Sequence, residues 1–330
     1  MEYSKILDLT GKEGKLIEST VGNACSTLRL IVNKQCQLAC GWCYQEGIDH
    51  AHSTPELSAE TFIRVARIGK RRGFTNVNYS GGEPLLYTDL FRLEREIAAQ
   101  GFHSYVTTNG VAIEQTGAAE QWKDIPNHEV HVSVNTLDDA EYRNITRRNF
   151  LASVLRGLSQ LVDAKVPVKL NTVVSSEADW ARIKRILDYS GERDLTVKLL
   201  GIHDTEQKPF SQKAVAEMLL RHGAEHVTTG EGTGVNYGYE QFIVDRTRVH
   251  VLDMIYGGGC CDKFRMEQCG EGIRYPRIIY TGEVNPCLHQ TIGKISNESS
   301  DQQIEDILEK AKQFLRSLSV PPFHLDARAT

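Results

Sequence analysis

The sequence has little of what marks a membrane, secreted or nucleic-acid-binding protein. No apolar run in its 330 residues approaches the length that spans a bilayer, and the segment Met1–Gly14 is rich in charged residues. The formal net charge is −5, so the chain as a whole does not attract nucleic acid or an anionic membrane. Eight cysteines are too few at this length for a disulfide scaffold. We therefore expect a cytoplasmic protein whose thiols stay reduced.

The cysteines that are present are unevenly distributed. Cys36, Cys40 and Cys43 form a C-x3-C-x2-C group directly after an apolar run, and residues 44–259 contain no cysteine. Three thiolates in one short loop suffice for three irons of a [4Fe–4S] cube and leave the fourth iron open to a non-protein ligand. A structural zinc site is the alternative, although such sites add a fourth Cys or His ligand that this triplet lacks.

Alternating polarity predicts six strands between residues 26 and 205, with helical periodicity between them. The predicted strands are Thr27–Asn33, Asn76–Ser80, His103–Thr108, Glu129–Asn135, Val168–Val174 and Leu195–Leu200. A repeated strand–helix order implies a parallel sheet with right-handed crossovers. The sequence therefore predicts an α/β fold, a partial (β/α)6 TIM barrel over residues 26–205, preceded by an N-terminal extension over residues 1–25.

The pattern changes in the C-terminal region, residues 206–330. It predicts a helix over 211–221, a hairpin of Tyr239–Val244 and Arg248–Leu252, and a closing amphipathic helix over Ile304–Leu318. A second cysteine group lies between the hairpin and that helix, and its members are Cys260, Cys261, Cys269 and Cys287. Two separate cysteine groups favour two metal or cluster sites over scattered core thiols.

The predicted strands carry polar residues on one face. In the fourth strand Val130, Val132 and Val134 alternate with His131, Ser133 and Asn135. Helices must cover the apolar faces, so the polar faces point into the barrel, where they can bind a polar ligand. The alternative for any single residue is an internal hydrogen bond with no ligand.

A glycine-rich turn follows the second strand in Ser80-Gly-Gly-Glu-Pro-Leu-Leu86. Glycine lets a backbone approach a ligand closely, Pro84 stiffens the turn, and Glu83 offers a carboxylate to a ligand ammonium group. Taken alone, this segment fits an ordinary strand-to-helix turn. Its position one βα unit after the cysteine triplet is the observation that indicates a ligand-binding role.

The triplet and the glycine-rich turn together resemble the radical S-adenosylmethionine (SAM) superfamily. The resemblance implies a [4Fe–4S] cluster on Cys36, Cys40 and Cys43, with SAM chelating the open iron and yielding a 5′-deoxyadenosyl radical on one-electron cleavage. It also implies a set of residues that contact SAM, namely Trp42, Gly82, Glu83, Thr108, Ser133 and Asn135.

Within the superfamily, residues 26–290 resemble the GTP 3′,8-cyclase (MoaA-like) branch. The similar segments are Leu28-Arg29, the glycine-rich turn, Thr107–Gly110 and Val168–Asn171. The resemblance implies a set of basic residues that bind substrate, namely Arg29, Lys169, Lys263 and Arg265. Asn78 stands where the cyclase carries a substrate-binding arginine, and the C-terminus lacks the cyclase's Gly-Gly, so we expect a relative with a changed substrate.

The late cysteines resemble a SPASM/twitch-type extension that holds an auxiliary cluster. Cys260 and Cys261 are adjacent where the family has a CxxC pair, and adjacent cysteines rarely both reach one cluster. We therefore expect Cys261, Cys269 and Cys287 to bind a second [4Fe–4S] cluster. A structural zinc or iron–sulfur knuckle without substrate contact is the alternative.

These observations predict a radical SAM enzyme that abstracts hydrogen from an anionic small molecule. A nucleotide or sugar nucleotide is the expected substrate, with carbon–carbon bond formation or rearrangement as the outcome. Flavodoxin or ferredoxin is the expected reductant, and neither nucleic acid nor membrane is an expected partner. The alternatives are a peptide-modifying radical SAM maturase that uses the auxiliary cluster, and a zinc-stabilised binding protein.

Overall fold

The computed structural model describes residues 26–43, 56–201, 210, 212–230, 239–252, 275–286 and 290–317. Six strands alternate with helices in the first part of the chain, as the sequence predicts. The strands are β1 (Thr27–Ile31), β2 (Asn76–Ser80), β3 (His103–Thr108), β4 (His128–Ser133), β5 (Val168–Val174) and β6 (Thr196–Gly201). The helices are α1 (Ala59–Arg71), α2 (Leu90–Ala98), α3 (Ile113–Thr116), α4 (Ala118–Trp122), α5 (Asp139–Thr146), α6 (Leu151–Asp163) and α7 (Trp180–Gly191).

The later part of the chain adds strands at both edges of the same sheet. Its elements are α8 (Gln212–Arg221), β7 (Glu225–Gly230), β8 (Tyr239–Val244), β9 (Thr247–Leu252), β10 (Arg277–Ile279), β11 (Glu283–Asn285), β12 (Gly293–Lys294) and α9 (Asp301–Ser317). Strands β8 and β9 form the predicted antiparallel hairpin. The helices predicted over 211–221 and 304–318 are α8 and α9.

The strands of the described residues lie in one sheet with the order β12-β11-β10-β1-β2-β3-β4-β5-β6-β9-β8-β7. Every neighbouring pair from β10 through β1–β6 to β9 is parallel. Antiparallel pairs occur only at the two edges of this described sheet. A parallel sheet whose strands alternate with helices confirms the predicted α/β fold and partial barrel.

The helices cover the apolar face of the sheet, as the alternation requires. Helix α1 begins after the N-cap Ser58, whose hydroxyl accepts a hydrogen bond from Thr61 N at 3.2 Å. It buries Phe62, Val65 and Ile68 against the sheet. Leu28, Leu30, Val77, Val130 and Val132 are fully buried on the strand side of this core. Burying such side chains stabilises the fold by about 2 kcal/mol each.

The other face of the same strands is polar and lines the barrel lumen. Arg29 of β1 stands beside Asn78 of β2, which stands beside Tyr105 of β3. Farther along, His131 of β4 is in register with Lys169 of β5. The sequence pattern therefore predicts correctly which strand faces are available to a polar ligand.

Two strands from beyond residue 205 pair with the predicted barrel. Strand β9 pairs with β6, and β10 pairs with β1. The division of the chain at residue 205 stays a prediction. A search of the described residues finds no helix that is both long and apolar enough to cross a membrane.

Candidate active site

The cysteine triplet lies in the loop that leaves the carboxyl end of β1. Cys36 and Cys43 are exposed, Cys40 is half-buried, and all three thiols are free. The loop is fastened to the end of α5, because Ala39 N donates to Thr146 O at 3.0 Å and Gly41 N donates to Ile145 O at 3.3 Å. The backbone thus holds three accessible thiols at one end of the barrel.

The electrostatics of the triplet indicate what these thiols can bind. Burial, together with the charges of Cys43 and Cys36, raises the pKa of the Cys40 thiol to about 11. Among the described residues, no three His, Cys, Asp or Glu side chains are placed so that they could hold a metal ion, so the fit is judged from the chemistry of the cysteines. The raised pKa keeps the Cys40 thiol protonated when no metal is bound, and metal binding is what deprotonates such ligands. The donor set therefore fits a [4Fe–4S] cluster held through three of its irons.

The glycine-rich turn packs directly against the start of the cysteine loop. Gly82 N donates to Asn33 O at 3.0 Å, and Glu83 N donates to Gln35 O at 2.7 Å. A Cβ at position 82 would lie 2.6 Å from the carbonyl oxygen of Lys34. Only glycine fits where two backbone segments are this close. The turn therefore fixes the path of the chain into the triplet. The sequence predicts only that its glycines let the backbone approach a ligand.

The Glu83 carboxylate is buried and is held by the protein. It accepts hydrogen bonds from Thr108 Oγ1 at 2.6 Å, from Asn109 N at 2.7 Å and from Leu85 N at 3.0 Å. Burial raises the pKa of Glu83, and the bonds from Thr108 and Asn109 oppose that shift. Glu83 is only 1% exposed. Through the bonds from Thr108 and Asn109 it connects the glycine-rich turn to the end of β3. Its contact with a SAM ammonium group stays a prediction.

Asn109 extends this network to the cysteines. Its Nδ2 donates to Gln37 Oε1 at 3.2 Å and lies 3.6 Å from Cys36 Sγ. The network therefore runs from Glu83 through Asn109 to Cys36. The sequence shows Asn109 only as a member of the segment Thr107–Gly110 and does not reveal this link, because the link depends on the loop bringing Cys36 to the end of β3.

The remaining predicted SAM contacts lie at the same end of the barrel. Trp42 lies between Cys40 and Cys43 and is partly exposed. Ser133 ends β4, and Asn135 follows it with Oδ1 accepting a hydrogen bond from Val173 N at 2.9 Å. Their contacts with SAM stay predictions.

The predicted substrate residues Arg29 and Lys169 both line the lumen. Arg29 donates to Tyr275 Oη at 2.8 Å and to Ser80 Oγ at 3.1 Å. Lys169 pairs with Glu129 at 2.9 Å. The structure therefore brings a predicted substrate residue to each side of the lumen.

Two further basic residues, which sequence reasoning missed, join them. Arg277 is the register partner of Arg29 on β10, and Lys198 lies on β6 beside Asn171. Both are buried, at 5% and 8% exposure. A lone basic residue within an otherwise apolar strand is the signal that identifies each of them.

Asn78, the predicted departure from the cyclase pattern, has a specific role in the lumen. Its Nδ2 donates to Tyr105 Oη at 2.8 Å, and the Tyr105 ring stacks on His131 with centroids 4.4 Å apart. Buried Oδ1 atoms of Asn78 and Asn171 accept no hydrogen bond from the described residues. Such atoms favour a polar ligand or ordered water in the lumen.

The predicted auxiliary site lies outside the described residues. This holds for Cys260, Cys261, Lys263, Arg265, Cys269 and Cys287. The described residues 275–286 lie between Cys269 and Cys287 in the chain and form β10 and β11, where Arg277 donates to Pro286 O at 3.4 Å.

Comparison with known proteins agrees with this arrangement. The sequence profile of the radical SAM superfamily matches residues 30–190, which contain the cysteine triplet, the glycine-rich turn and strands β2 to β5. The GTP 3′,8-cyclase of Erythrobacter litoralis is 31% identical over 284 residues, covering 82% of this chain and 80% of that protein. The chain belongs to the radical SAM superfamily. The probable GTP 3′,8-cyclase of Pyrococcus horikoshii is 28% identical over 191 residues, which is 60% of its length.

Solved structures of two proteins bound to S-adenosylmethionine share the fold. Streptococcus suis SuiB bound to S-adenosylmethionine superposes with a TM-score of 0.61 over 93% of this chain and 69% of its own, at 15% identity. The anSMEcpe protein with bound AdoMet superposes with a TM-score of 0.57 over 88% of this chain and 82% of its own, also at 15% identity. At this identity the likeness concerns the fold alone.

Proposed function

We propose that this chain is a radical SAM enzyme that abstracts hydrogen from an anionic small molecule held in the barrel lumen. When bound, the cluster supplies the electron that cleaves SAM to methionine and a 5′-deoxyadenosyl radical. The observation that carries the proposal is the triplet of free thiols held over a lumen with four basic side chains, Arg29, Lys169, Lys198 and Arg277.

The basic side chains favour a phosphate or carboxylate group on the substrate. Arg29 and Arg277 lie side by side, and a guanidinium group binds such anions through paired hydrogen bonds. Lys169 and Lys198 lie on the opposite wall. We therefore propose a nucleotide or sugar nucleotide, in keeping with the GTP named for the curated relatives.

The residues that surround the site support radical chemistry through order and exclusion of water. The Glu83 network fixes the end of β3 against the cysteine loop, and the apolar faces of the strands seal the barrel under its helices. A carbon radical reacts with most neighbours, so a rigid, closed lumen limits side reactions. Carbon–carbon bond formation or rearrangement is the proposed outcome.

We further propose that Cys261, Cys269 and Cys287 hold an auxiliary [4Fe–4S] cluster. Their late grouping in the sequence and their resemblance to a SPASM/twitch-type extension support it. Iron content tests this directly. Two cubes bring about eight irons per chain and one cube brings about four, so a C269A/C287A double variant that keeps the wild-type iron content contradicts the second cluster.

Anaerobic reconstitution tests the main proposal. The reconstituted chain, given SAM and dithionite, is expected to form 5′-deoxyadenosine, and Cys36→Ala, Cys40→Ala and Cys43→Ala are each expected to abolish it. Cys25→Ala is the matched control, because Cys25 lies outside both cysteine groups. Wild-type protein that binds no iron, or full 5′-deoxyadenosine formation in all three triplet variants, contradicts the proposal.

A nucleotide screen then tests the substrate class. Nucleoside triphosphates, beginning with GTP, and sugar nucleotides are offered in deuterated form, and deuterium in the 5′-deoxyadenosine identifies the substrate. A peptide-modifying maturase is the second candidate, because the fold also matches that of SuiB bound to its precursor peptide SuiA, over 93% of this chain. Deuterium transfer into 5′-deoxyadenosine from a labelled peptide, but from none of the nucleotides, favours the maturase.

A further inference from the structure

Three side chains, Glu129, His131 and Lys198, form a hydrogen-bonded chain across β4 and β6, and the first two have no role in the function proposed above. One Glu129 carboxylate oxygen pairs with Lys169, and the other contacts His131 Nε2. His131 Nδ1 lies 3.3 Å from Lys198 Nζ. The imidazole therefore connects a carboxylate to an ammonium group.

The donors and acceptors fix where the protons lie. A lysine ammonium group has three donors and no acceptor, so His131 Nδ1 must accept from Lys198. The His131 proton is then on Nε2, from which it donates to Glu129. Burial and the charge of Lys198 lower the pKa of His131 to about 4, which agrees with a neutral ring. The hydrogen bonds therefore run in one direction, from Lys198 through His131 to Glu129. The bond from His131 and the charge of Lys169 hold the pKa of Glu129 well below its usual range, which agrees with an ionised acceptor.

The hydrogen-bonded chain runs from a fully buried ring to a partly exposed carboxylate. The His131 side chain is 1% exposed, whereas that of Glu129 is 25% exposed. Glu129 lies near the beginning of β4, and the cysteine loop follows the end of β1. Because these strands are parallel members of one sheet, Glu129 lies farther from the thiol end of the barrel than His131 does.

The groups that face His131 hold it in this arrangement. Tyr105 stacks on the ring at an interplanar angle of 28°, and Asn78 holds the Tyr105 hydroxyl. The other charged or titratable groups that act on the chain are Lys169, His128 and His250. The ring is fixed by contacts on both nitrogens and on its face.

We propose that Lys198 is a catalytic acid–base residue of the lumen, with His131 and Glu129 as positioning residues that carry its proton to solvent; this rests on the proposed function. Lys198 takes a proton from a substrate O–H or N–H as it passes one of its own to His131 Nδ1. His131 passes its Nε2 proton to Glu129, which releases it to water. Only N–H and O–H bonds form and break, and no group changes its oxidation state.

Proton exchange at His131 tests the chain without a substrate. In the anaerobically purified, histidine-labelled full chain, nitrogen NMR is expected to find His131 protonated on Nε2. Exchange of that proton with water is expected to be at least about tenfold slower in Glu129→Gln, which keeps the shape but cannot take up the proton. Glu120→Gln, at an exposed surface ion pair with Lys123, is the matched control. A proton on Nδ1, or unchanged exchange in Glu129→Gln, overturns the inference.

Turnover tests the role of Lys198. Arginine keeps the positive charge but does not release its proton, so Lys198→Arg is expected to retain binding of the nucleotide found in the screen and to lose about 100-fold or more in product formation. Wild-type turnover in Lys198→Arg overturns the inference. If the wild-type protein turns over no nucleotide, the proposed substrate class fails. The exchange measurement still tests the hydrogen-bonded chain of Glu129, His131 and Lys198.

Discussion

Gly82→Ala is expected to displace the cysteine loop and to reduce iron binding. The added Cβ would lie 2.6 Å from the carbonyl oxygen of Lys34 and closer still to that of Gln35, and both obstacles are backbone. The loop must withdraw by about 1 Å to restore ordinary contact. That movement breaks the bonds from Gly82 N to Asn33 O and from Glu83 N to Gln35 O.

The magnitude follows from these two effects. Forcing a methyl group into a packed site costs about 1–3 kcal/mol, and two lost hydrogen bonds cost about 1 kcal/mol each. A total of about 3–5 kcal/mol is a large share of the stability of a domain. Because the displaced segment leads directly to Cys36, iron content after reconstitution is expected to fall together with the Tm.

The matched control lies inside the cysteine loop itself. A Cβ at Gly41 would meet nothing within 4 Å, so Gly41→Ala is expected to keep both the wild-type Tm and the iron content. Thermal unfolding and iron analysis of both variants provide the comparison. A Gly82→Ala protein with wild-type stability and full iron would refute the argument that glycine is needed for this close approach.

Three further predictions concern the network, a buried carboxyl group and a buried guanidinium. Asn109→Ala removes a donor from Cys36 and is expected to make the cluster potential more negative in a redox titration followed by EPR, because hydrogen bonds to the sulfurs help set it. Burial raises the pKa of Glu94 to about 8, so the folded state binds the extra proton and wild-type stability falls by up to about 1.4 kcal/mol per pH unit from about pH 5 to about pH 8; urea unfolding of Glu94→Gln is expected to lack this slope. Arg182→Met leaves the Asn135 carbonyl oxygen without its donor and is expected to lower the free energy of unfolding by about 3 kcal/mol.

Each of these predictions has an exposed counterpart as its control. Asn144→Ala, Glu96→Gln and Arg185→Met change exposed side chains of the same types and are expected to behave as wild type. An unchanged potential in Asn109→Ala contradicts the link to Cys36. A pH slope that persists in Glu94→Gln assigns the slope to another group, and a stable Arg182→Met protein shows that its contacts are dispensable.

The parallel strands were predictable because alternation over five to seven residues is visible in the sequence. Strands β2, β3 and β5 have the predicted bounds. The first strand ends two residues earlier than predicted, at Ile31, because the Asn33 carbonyl oxygen turns to accept from Gly82 N. The short strand β10 has too few residues to show any period, and its pairing with β1 depends on folding over a long separation.

The candidate site was predictable where one motif determines it and not where several strands meet. The triplet, the glycine-rich turn and Arg29 are motifs that a sequence displays. The chain from Glu129 through His131 to Lys198 depends on register between three strands. The role of Glu83 also depends on tertiary structure, because the bonds from Thr108 and Asn109 arise only when β3 lies beside the turn.

The pairing of β1 with β10 has a consequence for the order in which the protein is made. Arg29 and Tyr275 are 246 residues apart in the chain, yet they share a hydrogen bond in the lumen wall. During synthesis the cysteine loop leaves the ribosome long before β10 does. The edge of β1 that pairs with β10 therefore stays unpaired during that time. An uncovered strand edge invites pairing with other chains. A chain that stops before residue 275 is therefore expected to aggregate, although it carries the whole triplet.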